Sequence, residues 1–281
     1  MRDRFLKTTL LALTVFVFAA DLRAQEIKPT WKDWTQMSDK FYLYWGWNRG
    51  WYTKSDIRLY GSDHDFTLED VRAEDLQTDF SVKEYFYITR ISIPQTNLKL
   101  GYFLNEKYSI AAGFDHMKYR IVEDQSVRIT GDIDRVSSYQ GRYENEDITL
   151  SRDFLMYNHT DGLNYVFGEF NRHDELFSMV NGKVQLRSEL GVSVALLRPK
   201  TAVRFLEVKG PNVYHNAGYG VNGKVGLNLL LFRHISLMTE LKGGYINMPN
   251  IRATANKEGQ ASQQFGFLQA NVLLGATFGL W

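Results

Sequence analysis

From Phe41 onward, apolar and polar residues alternate with a period of two, as in strands whose successive side chains face opposite ways. Eight runs have strand length: 41–49, 96–104, 107–122, 161–172, 184–197, 218–231, 235–246 and 267–281. The first sets Phe41, Leu43, Trp45 and Trp47 against Tyr42, Tyr44, Gly46 and Asn48. The run at 184–197 sets Val184, Leu186, Leu190, Val192, Val194 and Leu196 against Gln185, Arg187, Glu189, Gly191 and Ser193. The pattern is weakest at 161–172, where Leu163, Tyr165 and Phe167 form the apolar set.

The connections alternate in length. Asn105-Glu106, Asn181-Gly182 and Arg233-His234 mark tight turns, whereas roughly 50–93, 123–160, 198–214 and 248–263 are long. Turns on one rim and loops on the other, with an even strand number, describe a transmembrane antiparallel up-and-down β-barrel. Ten strands are the alternative. SDIRLY (55–60) and FTLEDV (66–71) have strand patterning, but Asp56, Arg58, Glu69 and Asp70 make them polar for lipid. They are expected as a hairpin in the first outside loop.

Alternation alone fits two opposite barrels. A soluble lipocalin-like barrel turns its apolar face inward around a ligand; a membrane barrel turns it outward to lipid. The polar face here combines glycines with charges of both signs: Lys99, Arg187 with Glu189, Lys224, and Glu240 with Lys242. Such a set suits a narrow lumen filled by a salt-bridge network, with a small pore as its alternative. Aromatics gather near run ends, and Trp45, Trp47, Tyr102, Tyr108, Tyr245 and Trp281 are expected at the membrane interfaces.

The first residues sharpen the address. Arg2, Arg4 and Lys7 precede an apolar run from Leu10 to Ala20, so 1–24 reads as a secretory signal peptide. Residues 25–40 are then a periplasmic tail, and 41–281 the barrel. No stretch has 18 or more apolar residues, so no helical span is expected. Formal net charge is +1, which gives no ground for a nucleic-acid partner, and the absence of Cys excludes disulfides and thiolate metal sites.

The C-terminal segment LQANVLLGATFGLW resembles the closing strand of outer-membrane barrels, which alternates apolar residues and ends on an aromatic; here the register falls on Phe278 and Leu280, with Trp281 last. With the signal peptide, turns and eight runs, residues 41–281 resemble the small eight-stranded outer-membrane proteins of Gram-negative bacteria. The resemblance implies a lipid bilayer with lipopolysaccharide as the surroundings, no cofactor, and a role carried by the loops: surface recognition, envelope integrity, or an accessory place in an outer-membrane complex.

One candidate for chemistry stands apart. His116 has outward parity with Phe114 near the outer end of its run. Barrel enzymes that cut or transfer lipid acyl chains keep a His there with Ser and a carboxylate or Asn. Asp115 faces the other way, and the turn brings His116 toward Gln95 or Thr96. The acidic residues of the long loops show no calcium-loop spacing, and no metal ligand is assigned.

Overall fold

The computed structural model describes residues 40–86, 94–160, 162–232, 234–254 and 259–279. The signal peptide, most of the periplasmic tail and Trp281 lie outside them. In chain order the strands are β1 (Phe41–Tyr52), β2 (Ser55–Tyr60), β3 (His64–Val71), β4 (Ala73–Glu74), β5 (Thr96–Phe103), β6 (Tyr108–Met117), β7 (Arg120–Ile121), β8 (Ser126–Ile133) and β9 (Gly141–Thr149). They continue as β10 (Leu155–Asn158), β11 (Leu163–Met179), β12 (Val184–Leu197), β13 (Ala202–Phe205), β14 (Val208–Lys209), β15 (Gly218–Leu231), β16 (Ile235–Arg252) and β17 (Gln260–Phe278). A short helix, α1 (Val82–Tyr85), lies between β4 and β5.

Eight of these strands close a ring. The order β1-β5-β6-β11-β12-β15-β16-β17 is antiparallel throughout, and β1 pairs with β17 along its whole length. Pairing partners followed once round the wall run Phe41, Tyr102, Ile110, Phe170, Val192, Gly223, Gly243, Leu268 and back to β1 at Trp51. The ring therefore closes with a stagger of ten residues, which tilts the strands by ~40° and gives about 2.5 Å of height per residue. Phe41 and Trp51 thus sit about 25 Å apart in height, the thickness of the apolar band of an outer-membrane barrel.

The two faces are sorted in the membrane sense. Leu98, Leu100, Ile110, Val166, Phe170, Val192, Val194, Leu196, Val225 and Val272 are exposed, while Lys99, Glu169, Glu189, Lys224, Glu240 and Lys242 are buried. A soluble barrel would invert this order. The two close-packed tyrosine rings that fill the lower lumen need missing side chains opposite them. A Cβ on Gly101 would strike the Tyr42 ring, and one on Gly275 the Tyr44 ring.

The long connections are not loose. β2 continues upward beside the outer end of β17, through Ile57–Tyr60 against Gln260–Gln263, and β3, β8 and β9 extend the sheet from there. The 55–71 hairpin is therefore an outside hairpin and not a ninth and tenth crossing. A second sheet, β14-β13-β10-β7-β4, is assembled from three different connections. Alternating apolar residues of both sheets, among them Ile57, Leu59, Phe66, Leu68, Ile129, Phe154, Tyr157 and Phe205, form one core that continues down to Phe167 and Phe267 inside the barrel mouth. For the same reason β16 and β17 reach 18 and 19 residues, well past the ~10 that a bilayer requires, whereas the 17 residues of β11 extend at the other end, pairing with β12 down to the Asn181-Gly182 turn.

Candidate functional site

Two places carry the buried polar chemistry: the lumen and the seam where the barrel meets its cap. In the lumen, strands from opposite walls aim their inward positions at one axis. Lys99 Nζ lies 2.8 Å from Glu240 Oε2 and 3.2 Å from Glu169 Oε1. Lys224 Nζ lies 2.7 Å from Glu169 Oε1, 2.9 Å from Glu240 Oε2 and in contact with Glu189 Oε1. Above them Lys242 Nζ meets Asp115 Oδ2 at 2.8 Å and stands over the Phe167 ring, 4.4 Å from its centroid. Three lysines therefore face four carboxylates, all with side chains at most 2% exposed. Buried charges survive only when paired and hydrogen-bonded, so the network is a single interlocked unit.

Glu169 and Asp115 belong to this network and were not among the lumen residues expected from the sequence. Glu169 lies in the weakly patterned run, where Gly168 and Glu169 interrupt the apolar alternation. Asp115 differs: its inward parity was legible. Arg187 faces inward and is buried, as its parity implies. It sits near the inner rim and donates from Nη2 to Gln185 Oε1 at 2.9 Å, whereas Glu189 turns to the lysines. Neighbours two apart on one strand point the same way, but the charge opposite decides the partner. Below the lysines a chain of hydrogen bonds links Tyr42 OH to Ser109 Oγ (2.9 Å) and Ser109 Oγ to His173 Nε2 (2.8 Å). Tyr42, Tyr44, Tyr165, Phe167 and Phe267 are buried beside these charged layers.

At the barrel mouth, Gln263 on β17 ties the cap down. Its Nε2 donates to Ser55 Oγ at 2.9 Å and to Tyr119 OH at 2.5 Å, and its Oε1 accepts from Tyr157 OH at 3.2 Å. Burial pushes the Tyr119 hydroxyl up to about 12 and the His159 imidazole down to about 3. His159 Nδ1 is 2.9 Å from Thr201 Oγ1. Outside, Arg135 and His64 hydrogen-bond to Asp63 and hold its carboxyl below the usual range.

His116 does not face the lipid head groups. It is 2% exposed, its Nδ1 lies 2.9 Å from Asn164 Oδ1, and the register carries buried Thr96 to its other side. Flanking polar side chains on β5 and β11 turn this outward position into a polar seam just below the outer rim. Trp45 and Trp47 are also corrected. They stand near mid-height on the outer wall, stacked edge-on to one another at 5.0 Å, and segment 80–86 covers them. Phe86 lies 5.1 Å from Trp47, and Trp47 Nε1 donates to the Tyr85 carbonyl at 3.1 Å. Tyr102 and Tyr108 lie at the inner rim, and Tyr245 at the outer one, beside Trp51 and Tyr219. Among the described residues no cluster of His, Asp or Glu is arranged to hold a metal ion.

A closed barrel is the one way for β-strands to cross a bilayer with every backbone group paired. With this band height and these faces, the chain is an integral outer-membrane β-barrel.

No family model matches the chain, and no curated protein does. Among solved structures it is similar to the outer membrane protein OprG from Pseudomonas aeruginosa, at 12% identity over 86% of this chain and 97% of that one, with a TM-score of 0.35. It is similar to the Neisserial surface protein A, NspA, at 9% identity over 82% and 95%, with a TM-score of 0.32. The outer membrane protease OmpT from Escherichia coli matches at 9% identity over 91% and 99%, with a TM-score of 0.31. These likenesses stand beside the geometry; the bilayer assignment rests on the barrel's own two faces.

Proposed function

We propose that this barrel is a plugged anchor in the outer membrane of a Gram-negative bacterium, and that it acts through its folded outer cap in surface recognition or as an accessory subunit of an outer-membrane complex. The observation that carries this reading is the cap itself. A membrane anchor needs only short connections, yet here the outside segments bury an apolar core of their own above the bilayer. Ordering that much chain costs conformational entropy on every residue, which a rigid recognition surface explains and an incidental loop does not. The filled lumen supports the same reading, because eight strands leave room for side chains and little else.

Planar-bilayer recording on folded protein tests the plugged lumen. Silence is expected; a steady unit conductance would replace this reading with a narrow diffusion channel. The cap is tested by exchanging residues 55–71 and 126–149 for short turns. The expected outcome is a barrel that still inserts but no longer co-purifies with its membrane partners or supports surface binding. The second reading is an outer-leaflet lipid hydrolase or acyltransferase using His116, which pairs with Asn164 but is buried away from the head groups. On that reading His116→Ala leaves insertion intact and abolishes a change in lipid A or phospholipid acylation; an unaltered lipid profile rejects it.

A further inference from the structure

The outward face of β12 runs Val192, Val194, Leu196 and then Arg198. The apolar alternation is broken by a guanidinium as soon as the strand clears the rim. On β16, Arg252 lies above Tyr245, past an irregularity between Met248 and Ile251. These two arginines, with Tyr214, His215, Asn216 and Asn250, line a pocket of about 370 Å³. No carboxylate is among the lining residues, and neither Arg198 nor Arg252 makes a side-chain ion pair or hydrogen bond with another described residue. His215 Nε2 accepts from the Arg252 backbone N–H at 3.2 Å, and its Nδ1 lies 3.3 Å from the Val213 carbonyl. Its proton is thereby placed on Nδ1, and the ring is neutral. Among the described residues the pocket thus presents two guanidiniums without a side-chain partner and two amides, a donor set that fits phosphate oxygens.

Directly below, on the same strands, the outer wall is hollowed. A groove of about 520 Å³ is bordered by Val192, Val225, Leu241 and Leu268, with Gly223 and Gly243 as its floor. The two glycines pair across β15 and β16. A Cβ on Gly243 would meet Leu268 Cδ1 at 3.8 Å and one on Gly223 the Gly191 carbonyl at 3.9 Å, so the floor is open, not tightly packed. Tyr219 and Tyr245 mark the rim between the two sites, and Asn247 Nδ2 fixes the Tyr219 hydroxyl at 3.1 Å. A basic pocket above the rim and an apolar groove below it, on one strip of wall, match an amphiphile with an anionic head.

We propose that this strip binds one phosphorylated, multiply acylated glycolipid of the outer leaflet, with a phosphate held by Arg198 and Arg252 and an acyl chain lying over Gly223 and Gly243. The inference rests on the bilayer reading of the outer wall. The test is native mass spectrometry of the detergent-solubilised barrel with bisphosphorylated lipid A. Every sample is first checked for the mobility difference between boiled and unboiled protein. A failed barrel shows no mobility difference; a failed site shows the difference without lipid retention. One retained lipid A is expected. Its retention falls by roughly tenfold or more in the Arg198→Ala/Arg252→Ala double variant, and similarly for lipid A stripped of its phosphates. Gly243→Leu, or Gly223→Leu if the first fails to fold, also weakens retention by filling the groove. Undiminished retention in the arginine variant overturns the proposal. So does complete displacement by millimolar inorganic phosphate, which would make this a free-anion site. A folded groove variant that binds as well as the original chain overturns the acyl half.

Discussion

Lys224, like Lys99, meets Glu169, Glu189 and Glu240 together, and it stands closer to Glu169 and Glu189 than Lys99 does. Lys224→Met would leave those carboxylates with too little opposing charge in a site that water does not reach. The expected cost is about 3–5 kcal/mol, read as a lower urea midpoint for loss of the folded gel species. Adding Glu189→Gln should restore part of it; a double variant no better than the single one would show that the charges are not coupled. His159 gives the cap a pH dependence. Its folded value of about 3 lies below the ordinary 6.5, so the unfolded cap takes up a proton first. Cap stability is full above about 6.5 and falls by up to about 1.4 kcal/mol per unit as pH drops toward 3. Burial lowers His215 as well, and it contributes with the same sign. Arg135 and His64 hold Asp63 below its ordinary 3.8, so its contribution is lost only at the acid end of this range and beyond. Protease resistance of the cap at pH 7 and pH 5 measures the effect, and His159→Asn should remove most of it.

At the scale of the element, the barrel wall is held by ladders whose inward residues must share a narrow tube. The register sets Gly101 opposite Tyr42 and Gly275 opposite Tyr44, which gives each ring its space on the neighbouring strand. Gly275→Val would drive a branched side chain into the Tyr44 ring at the closure between β1 and β17. A loss of about 1–3 kcal/mol is expected from overpacking. Gly243→Ala, outward and open, should cost far less by the same urea assay. Equal costs would mean that the glycines act through backbone conformation and not through space.

At the scale of the whole molecule, barrel and cap share a core but have different supports. The barrel is closed by its own ladders, whereas the cap rests on the outer ends of β16 and β17 and on the Gln263 knot. Deleting the 55–71 hairpin removes Ile57, Leu59, Phe66 and Leu68 from the cap core. The expected product keeps its heat-dependent gel mobility but loses protease resistance over 120–160. A deletion that abolishes the mobility shift would instead show that the barrel cannot close without its cap.

The sequence by itself determined the wall. Period-two alternation, tight turns such as Asn105-Glu106 and a polar face of glycines and opposite charges placed eight strands and gave their lipid and lumen faces, except that the apolar set Leu163, Tyr165 and Phe167 turns inward to the shared core. These signals are local, since strand parity is a covalent fact of the backbone. The weakly patterned 163–179 still became a full strand because its neighbours β6 and β12 offered paired edges on both sides. Only the tertiary structure decided what meets what. Which lysine finds which carboxylate depends on inward positions far apart in sequence, such as Lys99 and Glu240. The cap sheets unite three connections, no one of which carries a core of its own, so beyond the 55–71 hairpin they read as polar loops. The same holds for the strip joining Arg198, Arg252, Gly223 and Gly243: its parts become one surface only because the stagger of the closed barrel stacks them above and below the rim.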